Sequence, residues 1–145
     1  MPTSVFPMLA TKVGAPFSRP GWLFEPKWDG YRALCFLRNG VVRFTSRNQR
    51  DLTKRFPELL VIAKSIKASS AIIDGEIVAL DENGSQCLEQ LQNHKRDCFI
   101  IYFAFDVIFL DGESRTDFPL VERKSTTGTN LAEESCRTNR FTDLY

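Results

Sequence analysis

Residues 31–46 read YRALCFLRNGVVRFTS. Two runs rich in apolar, aromatic and β-branched residues flank Asn39-Gly40, a pair that accepts the left-handed backbone a two-residue hairpin needs. The stretch predicts antiparallel strands over 31–38 and 41–46. Downstream, PELLVIAKSIK (57–67) spaces Leu59, Leu60, Ile62, Ala63 and Ile66 along one helical face, and Pro57 suits a first turn. AIIDGEIVAL (71–80) reads as a strand with an acidic interruption, closed by the turn DENG (81–84). A short helix is expected over 86–93. CFIIYFAFDVIFL (98–110) is too β-branched and aromatic for a helix, and Asp111-Gly112 ends it. The predicted fold class is α+β, antiparallel strands with helices packed on them.

Upstream, five of the seven prolines fall within the first 26 residues, so residues 1–22 read as an extended lead-in. The last stretch, STTGTNLAEESCRTNRFTDLY (125–145), has little apolar period and is expected to be a disordered tail. PLVERK (119–124) before it resembles a first helical turn that the tail does not continue.

A hydrophobic content of 43% and 12 phenylalanines suffice for a core and exclude a disordered chain. The net charge of +1 hides an asymmetry. Residues 12–67 hold 12 Lys/Arg against 4 Asp/Glu, whereas 68–145 hold 7 against 14. Either the first half faces a polyanion, or the two halves pair their charges across the fold. The four cysteines show no C-x-x-C spacing, which argues against zinc and a disulfide framework. No apolar run reaches the roughly 20 residues of a membrane span, and no signal peptide is evident. A cytoplasmic protein is expected.

The chemistry centres on EPKWDGYRA (25–33), where Lys27 lies between Glu25 and Asp29. A lysine near its unperturbed pKa of about 10.4 is protonated at neutral pH and is no nucleophile. Flanking acids raise that pKa further, so they orient the amine rather than activate it. On spacing alone, such a string is more often a solvated turn. Arg47 alone reads as a surface charge. Phe105, with Phe103, Val107 and Phe109, reads as core by strand alternation. Glu76 breaks an apolar strand, where an acid needs a partner. Asp29 reads as a residue tying the turn, and His94, the only histidine, as incidental.

Taken together the motifs say more. EPKWDGYR resembles the K-x-D-G-x-R motif of the covalent nucleotidyltransferases, which include DNA ligases, RNA ligases and capping enzymes. SRNQRD (46–51), DGEIV (74–78) and YFAFDVIFLDG (102–112) resemble that family's next three motifs, in order. With PMLAT, FPEL and PLVERK, the chain is similar over residues 6–124 to the ligase module of bacterial non-homologous end-joining ligases. The resemblance implies the N-terminal part of an ATP-grasp-like adenylation domain over 23–124, with ATP and magnesium as cofactors and broken or nicked duplex DNA as partner. It implies DNA repair near the nucleoid. Lys27 would carry AMP, and Glu25 would accept a hydrogen bond from the adenine amino group. Arg32 and Arg47 would contact ribose and phosphate, Glu76 would bind ribose or a metal, and Phe105 would stack on adenine.

The family's later E-G and K-x-K motifs and its OB-fold domain are not found in this sequence. The resemblance therefore implies a C-terminally truncated ligase with an out-of-family tail over 125–145. Two other readings stay open: a catalytically inactive remnant that binds nucleotide or DNA weakly, and an RNA ligase or capping-type enzyme. Glu25 argues against the capping type.

Overall fold

The expected hairpin anchors the sheet. In the computed structural model, which describes residues 1–93 and 98–130, β1 (Tyr31–Arg38) and β2 (Val41–Ser46) pair antiparallel, with Arg38 opposite Val41. Asn39 and Gly40 take φ of 49° and 78°, the left-handed pair of a type I′ turn. Asp111 and Gly112, at 42° and 96°, make a second such turn. It joins β4 (Phe99–Leu110) to a two-residue strand, β5 (Glu113–Ser114), that the sequence reading did not foresee. With β3 (Ser70–Leu80) the strands form one antiparallel sheet in the order β2-β1-β3-β4-β5. The α+β expectation holds, and among the described residues no helix is long and apolar enough to cross a membrane.

Strand alternation divides the sheet into two faces. One carries Ala33, Cys35, Leu37, Phe44, Ile73 and Ile77, which pack with Leu52, Phe56, Leu59, Ile62 and Leu91 into the main core. The other carries a smaller cluster of Leu34, Phe36, Ile72 and Phe109. By the same alternation Arg32, Asp74 and Glu76 lie on this second face.

The segment at 57–67 is a 3-10 helix, Pro57–Lys64, rather than the amphipathic α-helix expected. Three residues per turn bring Leu59 and Ile62 onto one buried line, while Leu60 stays 39% exposed. Its N-cap, Phe56, offers no side-chain cap, and its aromatic ring is buried in the core instead. Helix α1 covers Leu88–Asn93, and His94 lies outside the described residues. Helix α2 runs Leu120–Asn130, so the turn begun at Pro119 does continue past Lys124. Residues 131–145 of the expected tail lie outside the described residues.

β4 also departs from simple alternation. Gly75 pairs with Ala104 and Asp74 with Asp106, which leaves Phe105 as the extra residue of a β-bulge. A second irregularity separates the partners of Ile72 and Ile73. Val107 consequently joins the main core and Phe109 the smaller cluster. Phe103, Phe105, Val107 and Phe109 do not share one face, contrary to the alternation reading.

Two glycines permit close approach of chains. A Cβ on Gly30 would lie 2.0 Å from the Ile77 carbonyl oxygen, and one on Gly75 would lie 2.4 Å from that of Phe103 and 2.5 Å from the Tyr102 ring. Tyr102 lies on the core side of Gly75 and donates its hydroxyl to the carbonyls of Ile73 (2.9 Å) and Ala33 (3.1 Å). This bond ties β4 to β1 across β3. Gly75→Ala is expected to cost about 2–3 kcal/mol through forced displacement of that ring and strand. Urea unfolding checks it: the midpoint falls while the slope stays unchanged.

Candidate active site

The second face of the sheet gathers residues that lie far apart in sequence. Arg32, on β1, donates Nε to Asp74 Oδ1 (2.8 Å) and Nη2 to Asp74 Oδ2 (2.7 Å), a bidentate pair. Asp74 is 3% exposed, and burial pushes its carboxyl above the ordinary range while Arg32 works against that shift. The Arg32 fork also lies 4.8 Å from the Phe105 ring and reaches the Met8 carbonyl at 3.4 Å. Two of its three nitrogens are thus engaged within the protein, and Nη1 has no hydrogen bond among the described residues.

A second bidentate pair stands beside the first. Asp106, the β4 partner of Asp74, accepts Arg123 Nε (2.7 Å) and Nη2 (2.9 Å), and Arg123 Nη1 donates to the Phe118 carbonyl (2.6 Å). Two adjacent carboxylates would repel each other, so each has its own arginine. Arg123 joins the start of α2 to the sheet. The next residue, Lys124, donates to the carbonyl of bulged Phe105 (2.8 Å) and to Glu25 Oε1.

Glu76, half-buried on the same face, receives the Gly30 N–H; burial raises its carboxyl pKa, and Arg32 and Lys27 oppose the rise. Lys27 itself is exposed. It pairs with Asp29, whose hydrogen bond raises the lysine pKa, with the charge of Glu76 adding a smaller push. Of the two flanking acids the sequence pointed to, only Asp29 holds the amine protonated; Glu25 pairs with Lys124 instead, and Glu76 from β3 takes its place. Asp29 does tie the turn, since its N–H donates to Gln86 Oε1 at 2.7 Å. Trp28 stacks flat on Phe103 (3.8 Å between centroids, 3° between planes), which holds the lysine segment against β4.

Of the six candidates, Lys27 and Glu76 interact electrostatically, Arg32 covers Phe105, and Glu25 reaches Phe105 through Lys124. Arg47 joins them by its backbone, its N–H donating to the Arg32 carbonyl at 3.2 Å. Its guanidinium is exposed, with no ion pair among the described residues. Reasoning from sequence missed Asp74, Gln86, Phe103, Asp106, Arg123 and Lys124. Asp74 had a local signal, as a second acid in the DGEIV strand, and Phe103, Asp106, Arg123 and Lys124 lay within the quoted YFAFDVIFLDG and PLVERK stretches without being given a site role; only Gln86 had none. Among the described residues no group of three or more metal-ligating side chains is gathered.

A profile of the ATP dependent DNA ligase domain matches residues 7–142, beyond the limit of 124 expected for the resemblance. The multifunctional non-homologous end joining DNA repair protein LigD of Mycobacterium tuberculosis H37Rv is 41% identical over 109 residues, covering 74% of this chain and 14% of that protein. LigD of Pseudomonas aeruginosa is 37% identical over 128 residues, covering 86% and 15%. DNA ligase C of M. tuberculosis is 34% identical over 132 residues, covering 83% and 36%. The chain therefore spans between about a seventh and about a third of these relatives. Among solved structures, a mycobacterial DNA ligase D complexed with ATP and MES superposes with a TM-score of 0.66 at 36% identity, over 72% of this chain and 35% of that one.

Removal of Arg32 would leave Asp74 buried and uncompensated. Arg32→Ala is expected to cost about 2–3 kcal/mol, below the figure for a fully enclosed pair because the Arg32 side chain is 30% exposed. With the arginine gone, burial and the charge of Asp106 raise the Asp74 pKa, opposed only by the hydrogen bond from the Gly75 N–H. A carboxyl raised in the fold stabilises most below its unfolded pKa of about 3.9 and loses that contribution as pH rises. The deficit of the variant against wild type should therefore shrink between pH 7.5 and pH 5, read from thermal melts at each pH.

Proposed function

Because the chain belongs to the ATP-dependent DNA ligase domain family, we propose that it contributes the nucleotide-binding half of a site that joins DNA strands through a lysyl-AMP intermediate. The observation that carries this reading is the convergence of Glu25, Lys27, Arg32, Glu76 and Phe105 on one side of the sheet. These residues come from four segments up to 80 positions apart.

In the first step the Lys27 Nζ lone pair attacks the α-phosphorus of ATP. An N–P bond forms, the bond from that phosphorus to the bridging oxygen breaks, and pyrophosphate leaves with the electron pair. The amine must first lose to solvent the proton that Asp29 helps retain; the negative triphosphate favours the protonated amine as Asp29 does, and a cation bound to the phosphates would oppose both. Glu25 accepts from the adenine amino group, Phe105 stacks on the base, and exposed Arg47 offers a fork to phosphate oxygens. Arg32 acts mainly from behind, holding Phe105 and Asp74, and its Nη1, without a hydrogen bond among the described residues, is left to donate to the nucleotide.

Glu76 is the residue assigned to magnesium or ribose. A half-buried single carboxylate suits magnesium, which takes one or two protein carboxylates together with substrate phosphates. When bound, the ion neutralises phosphate charge. AMP then passes to a DNA 5′-phosphate, and the neighbouring 3′-hydroxyl displaces it. The basic first half of the chain supplies the arginines for phosphate contact, so DNA binding should weaken steeply with salt. Repair of breaks in the nucleoid is the corresponding setting.

Incubation with magnesium and ATP labelled at the α-phosphate tests the reading. Label that survives denaturation and disappears in Lys27→Ala is the expected result; an unlabelled wild type overturns it. The pH profile adds a second check. Asp29 raises the Lys27 pKa, so the rate of labelling should climb with pH through the alkaline range. Asp29→Asn lowers that pKa and should move the climb to lower pH.

A further inference from the structure

Lys124 ends the PLVERK stretch and had no site role there, yet among the described residues it is the one side chain that hydrogen-bonds to both residues assigned to the base. Its Nζ donates to Glu25 Oε1 and, at 2.8 Å, to the Phe105 carbonyl. We propose that Lys124 is a positioning residue for nucleobase selection, fixing the Glu25 carboxylate and the Phe105 bulge relative to each other. This rests on the adenine-reading role given to both residues above.

An exposed lysine–glutamate pair is ordinarily weak and interchangeable. Three observations set this pair apart. The Lys124 side chain is only 25% exposed, against 84% for Lys27, so solvent competes less for its ammonium. Its base is fixed: Arg123, one residue earlier, is clamped to Asp106 and to the Phe118 carbonyl. Its second acceptor lies at a bulge, where the residue is left out of the strand pairing and its carbonyl needs a partner from elsewhere.

Glu25 has the complementary need. It lies in a segment without helix or strand, and among the described residues Lys124 is its side chain's only hydrogen-bond partner. Lys124 takes Oε1 and leaves Oε2 as an acceptor. An ionised carboxylate offers acceptors alone. It therefore suits the 6-amino group of adenine, a donor, and opposes the 6-oxo group of guanine, an acceptor. Held in place, Oε2 discriminates; released, Glu25 samples several rotamers and the contact is diluted.

Equilibrium dialysis of the full chain with ATP and, separately, GTP in magnesium buffer tests this. Wild type, Lys124→Met, Lys124→Arg, Glu25→Gln and the Lys124→Met/Glu25→Gln double variant are compared, with thermal melts confirming that each is folded. Lys124→Met should weaken ATP binding roughly tenfold, the scale of one charge-assisted hydrogen bond, and leave GTP binding nearly unchanged. Lys124→Arg should recover most of the ATP preference. The double variant should lose no more than Glu25→Gln alone, since both act through one carboxylate. Equal losses for ATP and GTP, an unaltered Lys124→Met, or additive losses in the double variant would each overturn the positioning role while leaving the adenylylation reading intact. A wild type that binds neither nucleotide overturns both.

Discussion

The Arg32–Asp74 pair is the constraint around which the rest of this sheet face is arranged. A carboxylate 3% exposed is tolerable only with a charged partner in good geometry, and the bidentate fork supplies it. The same guanidinium covers the Phe105 ring and reaches the lead-in at Met8, so one side chain connects the N-terminal segment, β1, β3 and β4. Binding groups on a sheet need such backing, because a side chain that must also support its neighbours cannot wander.

The second pair extends the first into a row. Arg32, Asp74, Asp106 and Arg123 alternate as cation, two anions and cation across β1, β3, β4 and the start of α2. The bulge at Phe105 lies at the middle of that row. It turns an aromatic away from the regular alternation and frees its carbonyl for Lys124. Two consecutive residues of α2 thus grip two consecutive residues of β4. The helix is attached to the site by charge and hydrogen bonds more than by apolar packing, as its exposed Val121 and polar sequence require.

The lead-in is handled in the same manner. Residues 1–22 form no helix or strand, yet the carbonyls of Thr3, Val5 and Met8 accept from Arg43, Gln49 and Arg32. Val5 packs on the small cluster beneath them. Side chains from the site-bearing strands and turn therefore hold an extended segment that has too few backbone partners of its own.

Much of this was legible in the sequence. Both Asn-Gly and Asp-Gly turns, four strands and the α+β class follow from local preferences, which act within a few residues and are written in residue type. The motif lysine, its protonated state and the acid Glu76 were legible for the same reason. What local pattern did not contain is anything that depends on register. The bulge that separates Phe105 from Val107 and Phe109 arises from how β4 aligns with β3. The 3-10 form of 57–64 follows from what Leu59 and Ile62 must pack against. The sequence by itself determined four of the strands, the turns and the motif residues that are the site's candidates. Only the tertiary structure decided that Arg32 turns inward to a buried Asp74 and that Lys124, almost 100 residues away, stands beside Glu25. Those are pairings between charges on different segments, and Coulomb interactions select partners by distance in space, not along the chain.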